Sequence, residues 1–168
     1  MGFRPDKAYD RITDIDCGML VSAGITTALV DVDNTVLPRD THIVPDDIMQ
    51  WLGFAKQANL KVYLLSNNWH KEIYTFAQSL DLPIVAKAMK PFPFAFWIAK
   101  NRANAKRNET VCIGDQLFTD VFGAHLSGMK AYMVKPLSDV DLWYTKLFRK
   151  AEKRLLKDPQ KQEAKRAD

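Results

Sequence analysis

Two carboxylates one residue apart, Asp31 and Asp33, follow directly on the apolar run Ala28-Leu29-Val30. A strand covered on both faces has no use for two acids at its tip unless that tip is a site. Where the strand breaks into a loop, both can turn toward one crevice. Further polar groups stand near the ends of later apolar runs: Ser66-Asn67, Lys90-Pro91, then Gly114-Asp115 with Asp120 five residues on. Acids, a hydroxyl, an amide and an ammonium suit phosphoryl transfer, which needs a nucleophile, neutralisation of phosphate charge and in-line positioning. A carboxylate can attack phosphorus and form an aspartyl phosphate, but two anions approach each other only with a cation between them. Asp31 and Asp115 offer hard oxygen donors suited to Mg²⁺, which takes few protein ligands and keeps several waters.

The elements that must position these residues alternate along the chain. Ile12, Ile15, Met19 and Leu20 fall at helical spacing and Gly24 ends the run, so a short helix over 11–23 leads into the first strand. A loop over 36–44 precedes a helix from Pro45 to about Asn59, with Asp46 and Asp47 in its first turn. Strands are expected at Val62–Leu65, Ile84–Ala86, Thr110–Ile113 and Lys130–Val134. Helices are expected at about His70–Leu80, Phe94–Ala105 and Thr119–Leu126, the last capped by Thr119. Short strands alternating with helices predict a three-layer, Rossmann-like α/β fold: a parallel sheet with helices on both faces and ligands at the carboxyl ends of the strands.

At 168 residues, with 47% hydrophobic and 26% charged, the chain has the composition of one soluble globular domain. The expected division is a single domain over 1–157, with its motif core at 28–134 and a C-terminal amphipathic basic helix at about 139–157, then a flexible charged tail over 158–168. The net charge of +4 is uneven: from Lys146 onward nine Lys or Arg face four Asp or Glu, and the remainder is nearly neutral. A domain broadly coated in nucleic acid is therefore disfavoured. Cys17 and Cys112 lie far apart without metal-type spacing and read as buried free thiols. No apolar stretch is long enough to span a bilayer, and an acidic N-terminus is no leader, so a cytoplasmic location is expected. His42, His70 and His125 are scattered and read as solvated or core residues rather than ligands.

Taken in order, Asp31-Val-Asp33-Asn-Thr35, Ser66-Asn67, Lys90-Pro91 and Gly114-Asp115 with Asp120 resemble the four motifs of the haloacid dehalogenase superfamily. The resemblance implies that Asp31 is the nucleophile and that Asp33 protonates the leaving alkoxide, then activates water against the aspartyl phosphate. It implies further that Mg²⁺ is held by Asp31, Asp115 and the main-chain carbonyl of Asp33, with Thr35 and Asp120 in support. Ser66 and Asn67 would hydrogen-bond the phosphoryl oxygens, and Lys90 would offset charge. Lys87 competes with Lys90 for that role, and the Lys-Pro pair favours Lys90. An Asp at position 33 points to complete hydrolysis, since dehalogenases expel a halide and phosphate-pumping relatives carry Thr there. A receiver-type signalling domain also gathers acids and a lysine at strand ends, but it lacks an Asp two residues after its acceptor.

Neither usual insertion point, after Thr35 or between Asn67 and Lys90, has room for a cap domain. An open site suits a substrate that brings its own bulk, such as a lipid, a nucleic-acid end or a protein. Trp69, Phe92, Phe94 and Phe118 flank the motifs; packing beneath the loops is the expectation, and an exposed apolar lip the alternative. Val140, Trp143, Leu147, Phe148, Ala151 and Leu155 form a stripe opposite Lys146, Arg149, Lys150, Lys153, Arg154 and Lys157. That helix either docks on the sheet or lies on an anionic membrane. More narrowly, the chain resembles the YqeG-type subfamily III phosphatases, which are similar to mitochondrial phosphatidylglycerophosphate phosphatases. The implied partner is then a phosphomonoester on a phospholipid. Two other readings stay open on sequence: a phosphatase of nucleotides, sugar phosphates or polynucleotide ends, and a non-catalytic phosphate-binding adaptor on RNA or ribosomes.

Overall fold

A computed structural model describes residues 2–138; the helix expected at 139–157 and the tail after it lie outside the described residues. Six parallel strands form one sheet: β1 Lys7–Tyr9, β2 Thr27–Asp31, β3 Lys61–Leu65, β4 Ile84–Val85, β5 Thr110–Gly114 and β6 Lys130–Val134, in the order β1-β6-β5-β2-β3-β4. The central pair, β2 and β5, is buried along its whole length, as apolar runs without alternation require. The chain steps outward from β2 through β3 to β4, then returns to the other side of β2. The crevice between β2 and β5 is thus the topological switch point, where open α/β sheets bind ligands.

Helices α1 Cys17–Ser22, α2 Asp46–Gln57 and α3 Glu72–Ser79 cover one face, burying Leu20, Ile48, Trp51, Ala55, Ile73 and Ala77 against Ala28, Val30, Val62 and Leu64. Helices α4 Pro93–Arg102 and α5 Phe122–Leu126 cover the other, where Ala95, Phe96, Ala99 and Ala124 meet Leu29, Leu65 and Cys112. The period of two along β2 sends Ala28 and Val30 to the first face and Leu29 to the second. A Cβ on Gly123 would sit 2.7 Å from the Phe96 ring, so α5 approaches α4 this closely only because that position is glycine.

Two local expectations are corrected and one strand is added. The helix expected over 11–23 is broken into a 3₁₀ turn, Ile12–Asp14, and α1, because the Asp16 carboxylate accepts from the Met19 N–H at 2.9 Å and caps a new start. β1 was not foreseen: its three residues form an edge strand with no apolar run to announce it. Thr119 caps nothing. It lies inside a π-helical turn, Leu117–Val121, that precedes α5, and its hydroxyl pairs with Gln116 Oε1 at 3.4 Å. Cys17 and Cys112 are buried and free, as expected. Among the described residues no helix is long and apolar enough to cross a membrane.

Candidate active site

The strand tips at the switch point bring the motif residues together. Asp31 ends β2 and Asp115 follows β5; both are buried. Lys90 comes from the loop after β4, where the Lys90–Pro91 peptide is cis. Its ammonium reaches between the two sides, pairing with Asp31 Oδ1 and with Asp120 Oδ1, the latter at 2.6 Å, and donating to the Leu65 carbonyl at 3.2 Å. The Lys90, Asp31 and Asp120 side chains are 3%, 5% and 1% exposed. Lys87, in contrast, is exposed, with its ammonium 5.2 Å from the Trp69 ring centroid. Of the two candidate lysines, Lys90 is the one beside the acids.

The π turn explains the spacing of Asp115 and Asp120. Both Asp120 and Val121 donate their N–H groups to the Gln116 carbonyl, and the widened turn carries the Asp120 carboxylate back to accept from the Gln116 N–H at 3.1 Å. A Cβ on Gly114 would overlap that carboxylate, so glycine is required where Asp120 folds over the end of β5. One oxygen of Asp120 is then taken by Lys90 and the other by the main chain.

The turn after β2 is built around Asn34, which adopts φ of 62°, a left-handed conformation that Asn tolerates better than most residues. Its side-chain oxygen accepts from the Arg39 N–H at 3.2 Å and the Ser138 hydroxyl at 2.8 Å, and its amide donates to the Ser138 carbonyl at 3.4 Å. Within this turn the Thr35 hydroxyl donates to Asp31 Oδ2 at 3.4 Å. Asp33 is half-buried and faces the cleft, and the Ser66 hydroxyl donates to its carboxylate at 3.3 Å. Asn67 also lines the cleft, but its amide clamps the main chain of Lys90, donating to the carbonyl at 3.2 Å and accepting from the N–H at 2.7 Å. Here Asn67 acts as the splint that registers the Lys90 loop against β3.

Burial pushes the Asp31 carboxyl well above the usual carboxylate range; the Lys90 ammonium pulls it back, while Asp120, Asp115 and Asp33 push it up further. Burial also works against the Lys90 charge, but Asp120 and Asp31 outweigh it, and the lysine is held more firmly protonated than in water. Four carboxylates crowding one ammonium leave an excess of negative charge. Asp31, Asp115 and Asp120 can present oxygens within 4.8 Å of one another, a set of hard donors that fits a divalent cation of the Mg²⁺ kind.

Around this floor the cleft is walled by Arg39, Asn68, Trp69, His70, Gln116, Phe118 and Thr119; the sequence sets Trp69 and Phe118 beside the motifs, reads Thr119 as a cap and His70 as solvated or core, and gives Arg39, Asn68 and Gln116 no role. His70, expected to be solvated or core, is exposed and stands on the rim. Trp69, Phe92 and Phe94, expected to pack beneath the loops, are 61%, 60% and 40% exposed. The packed arrangement is not what forms: Trp69 lines the cleft, while Phe92 precedes α4 and Phe94 stands in its first turn, their rings stacked 6.2 Å apart. Phe118 is half-buried, its ring 5.8 Å from that of Phe122 and 6.3 Å from that of Phe3.

Comparison with known proteins agrees with this geometry. Residues 88–136, which carry the third and fourth motifs, match a HAD-hydrolase-like family model. The fold is shared with an uncharacterized protein from Listeria monocytogenes serotype 4b, with a TM-score of 0.58 and 20% identity over 70% of this chain and 85% of that one. It is shared as well with the cobalt-bound deoxy-D-mannose-octulosonate 8-phosphate phosphatase of Haemophilus influenzae, with a TM-score of 0.53 and 14% identity over 67% of this chain and 69% of that one. A probable phosphatase of Bacillus subtilis, YqeG, is 31% identical over 154 residues, which is 92% of this chain and 90% of that protein. A likeness this long, on a parallel sheet whose strand ends gather four acids near one lysine, makes the chain a member of the haloacid dehalogenase-like hydrolases and, within them, a phosphatase of the YqeG type.

Proposed function

We propose that the protein hydrolyses phosphomonoesters with Mg²⁺ through an aspartyl phosphate on Asp31. The observation that carries this reading is the Lys90 ammonium buried between Asp31 and Asp120 at the floor of an open cleft that Asp33 also faces. Asp31 attacks phosphorus and the alkoxide leaves; Asp33 gives it a proton and then takes one from the water that cleaves the aspartyl phosphate. Asn67 offers the phosphoryl oxygens the amide N–H not spent on the Lys90 carbonyl, and Ser66 its hydroxyl once it turns from Asp33, while Lys90 stabilises the charge that Asp31 and the phosphoryl group share. Thr35 steadies the Asp31 carboxylate. Mg²⁺ would be held by Asp31, Asp115 and the main-chain carbonyl of Asp33, and when bound it supplies charge neutralisation between nucleophile and phosphate. Asp120 supports the site by holding Lys90, its other oxygen accepting from the Gln116 N–H.

The finer reading is a phosphate carried on a membrane lipid, with phosphatidylglycerophosphate the substrate that the family resemblance implies. The slot after the first motif holds only the loop between β2 and α2, and that between the second and third holds only α3 and β4, so a bulky substrate has access. The exposed Trp69 on the cleft wall, with Phe92 and Phe94 exposed soon after Lys90 in the chain, favours contact with an apolar surface. A location in the cytoplasm, peripheral to an anionic membrane, belongs to the same proposal.

The test is hydrolysis of p-nitrophenyl phosphate with and without Mg²⁺, run beside phosphatidylglycerophosphate vesicles and a nucleotide and sugar phosphate panel. Asp33→Asn, which keeps the nucleophile, should release one equivalent of nitrophenol and stall, leaving a phosphoenzyme that rapid quench detects. Mg²⁺-independent turnover, or full turnover in this variant, would refute the mechanism; preference for soluble metabolites over vesicles would refute the lipid assignment.

A further inference from the structure

A short arm ahead of β1 reaches the cleft wall from outside. Asp6 ties it to the sheet, its N–H donating to the Ala131 carbonyl at 2.8 Å and its carboxylate accepting from the Ala131 N–H at 2.7 Å. The His125 ring of α5 joins both ends of the arm, with Nε2 3.0 Å from the Asp6 carboxylate and Nδ1 2.7 Å from the Gly2 carbonyl. Residues 2–6 are thereby laid against α5, and they carry Phe3 to its first turn. There the Phe3 ring stacks on Phe122 at 4.5 Å between centroids and lies 6.3 Å from Phe118, 13° from parallel with each.

These three rings divide between the cleft and its backing. Phe118 lines the cleft, whereas Phe3 and Phe122 stand outside it. The backbone of Phe118 belongs to the π-helical turn, which is fixed through the Gln116 carbonyl and the Asp120 carboxylate. The arm has no part in those bonds, nor in the pairing of Asp120 with Lys90. The Phe118 side chain is different. It is half-buried, and the rings stacked beside it restrict the rotamers it can adopt. Phe3 belongs to neither hydrophobic core cluster and is 37% exposed, so its ring serves the wall more than the core.

We propose that Phe3, held in place by His125, is a positioning residue: it fixes the Phe118 ring as the wall against which an aromatic or comparably bulky leaving group packs. The proposal rests on the phosphatase reading above. Its test measures kcat and KM with Mg²⁺ for p-nitrophenyl phosphate, whose ring is large enough to meet the wall, and for acetyl phosphate, whose leaving group is not. Phe3→Ala should raise KM for the aryl substrate by about three- to tenfold, the worth of an aromatic pair. Its kcat, and both constants for acetyl phosphate, should stay near wild type, as the loss of leaving-group binding common to ground and transition states requires. Phe3→Trp keeps a stacking ring and should preserve the wild-type KM, whereas His125→Ala releases the arm without removing the ring and should resemble Phe3→Ala. An unchanged KM in Phe3→Ala, an equal rise on both substrates, or a loss confined to kcat would overturn the proposal, the last by placing the arm's effect on Asp120 and Lys90. Should Phe3→Ala fail to fold, His125→Ala decides by the same constants. A wild type inert on both substrates would sink the phosphatase reading instead, and the role of the wall with it.

Discussion

Replacing Lys90 by Met keeps most of the side-chain volume and removes the one ammonium among four carboxylates. Asp31 and Asp120 lose their shared partner while both remain buried. Breaking a buried pair from one side costs about 3–5 kcal/mol. For a chain of this size that lowers the melting temperature by about 6–20 °C. The loss should depend on pH with a defined sign. The Asp31 pKa is already raised in the folded protein, and Lys90 is what holds it down, so the variant raises it further. A carboxyl with a raised folded pKa weakens the fold as pH climbs through that value, and the penalty vanishes below the unfolded pKa. Urea denaturation of wild type and Lys90→Met in EDTA, from pH 4 to pH 8, should show a gap that widens with pH. Mg²⁺ should narrow it by supplying the missing positive charge. A variant within 1 kcal/mol of wild type across that range would refute the view that Lys90 holds the acids together.

Asp31→Asn should abolish turnover yet match or exceed the metal-free stability of the wild type, by a margin that grows with pH, because the wild-type carboxyl is the one with the raised pKa; a stability loss at pH 8 in EDTA would contradict this. Gly114→Ala should act through Asp120, costing about 1–3 kcal/mol by overpacking and most of the activity. In a double-mutant cycle with Asp120→Ala the stability losses should fall well short of their sum, and additive losses would break the link. Burial, with Asp16 adding to it, pushes the Cys17 thiol up to about 11, and burial likewise raises Cys112. An aromatic disulfide reagent at pH 8 should therefore label neither thiol until the protein is denatured; prompt native labelling would show otherwise.

Much of the fold was legible because parallel strands buried on both faces read as apolar runs, and β2, β3, β5 and β6 are such runs. β1 was not, since three edge residues carry no pattern. The acids were legible from order and spacing, but the choice between Lys87 and Lys90 was decided by the loop that Asn67 clamps. Arg39, Asn68, His70 and Gln116 gave no signal: each is a single polar residue in a loop, and only loop geometry gathers them. The exposure of Trp69, Phe92 and Phe94 was misread for the opposite reason. Hydrophobicity argues for burial, and it says nothing about which way a loop faces at a strand end.

The site and the fold make incompatible demands on the tips of β2 and β5, and the π turn reconciles them. The core needs those strands fully buried; the chemistry needs carboxylates at their ends, where burial penalises charge. Lys90 offsets only part of that charge, and a second fixed cation there would take the place a divalent ion needs. By folding Asp120 over Gly114, the turn satisfies one carboxylate with a main-chain N–H and uses its other oxygen to aim the ammonium at Asp31. The remaining deficit of positive charge lies among Asp31, Asp115 and Asp120, and of these Asp31 lines the cleft. A fold that kept its acids fully neutralised would be more stable and would have no reason to bind a metal. On the proposed mechanism, this residual imbalance would couple cation binding to ionisation of Asp31.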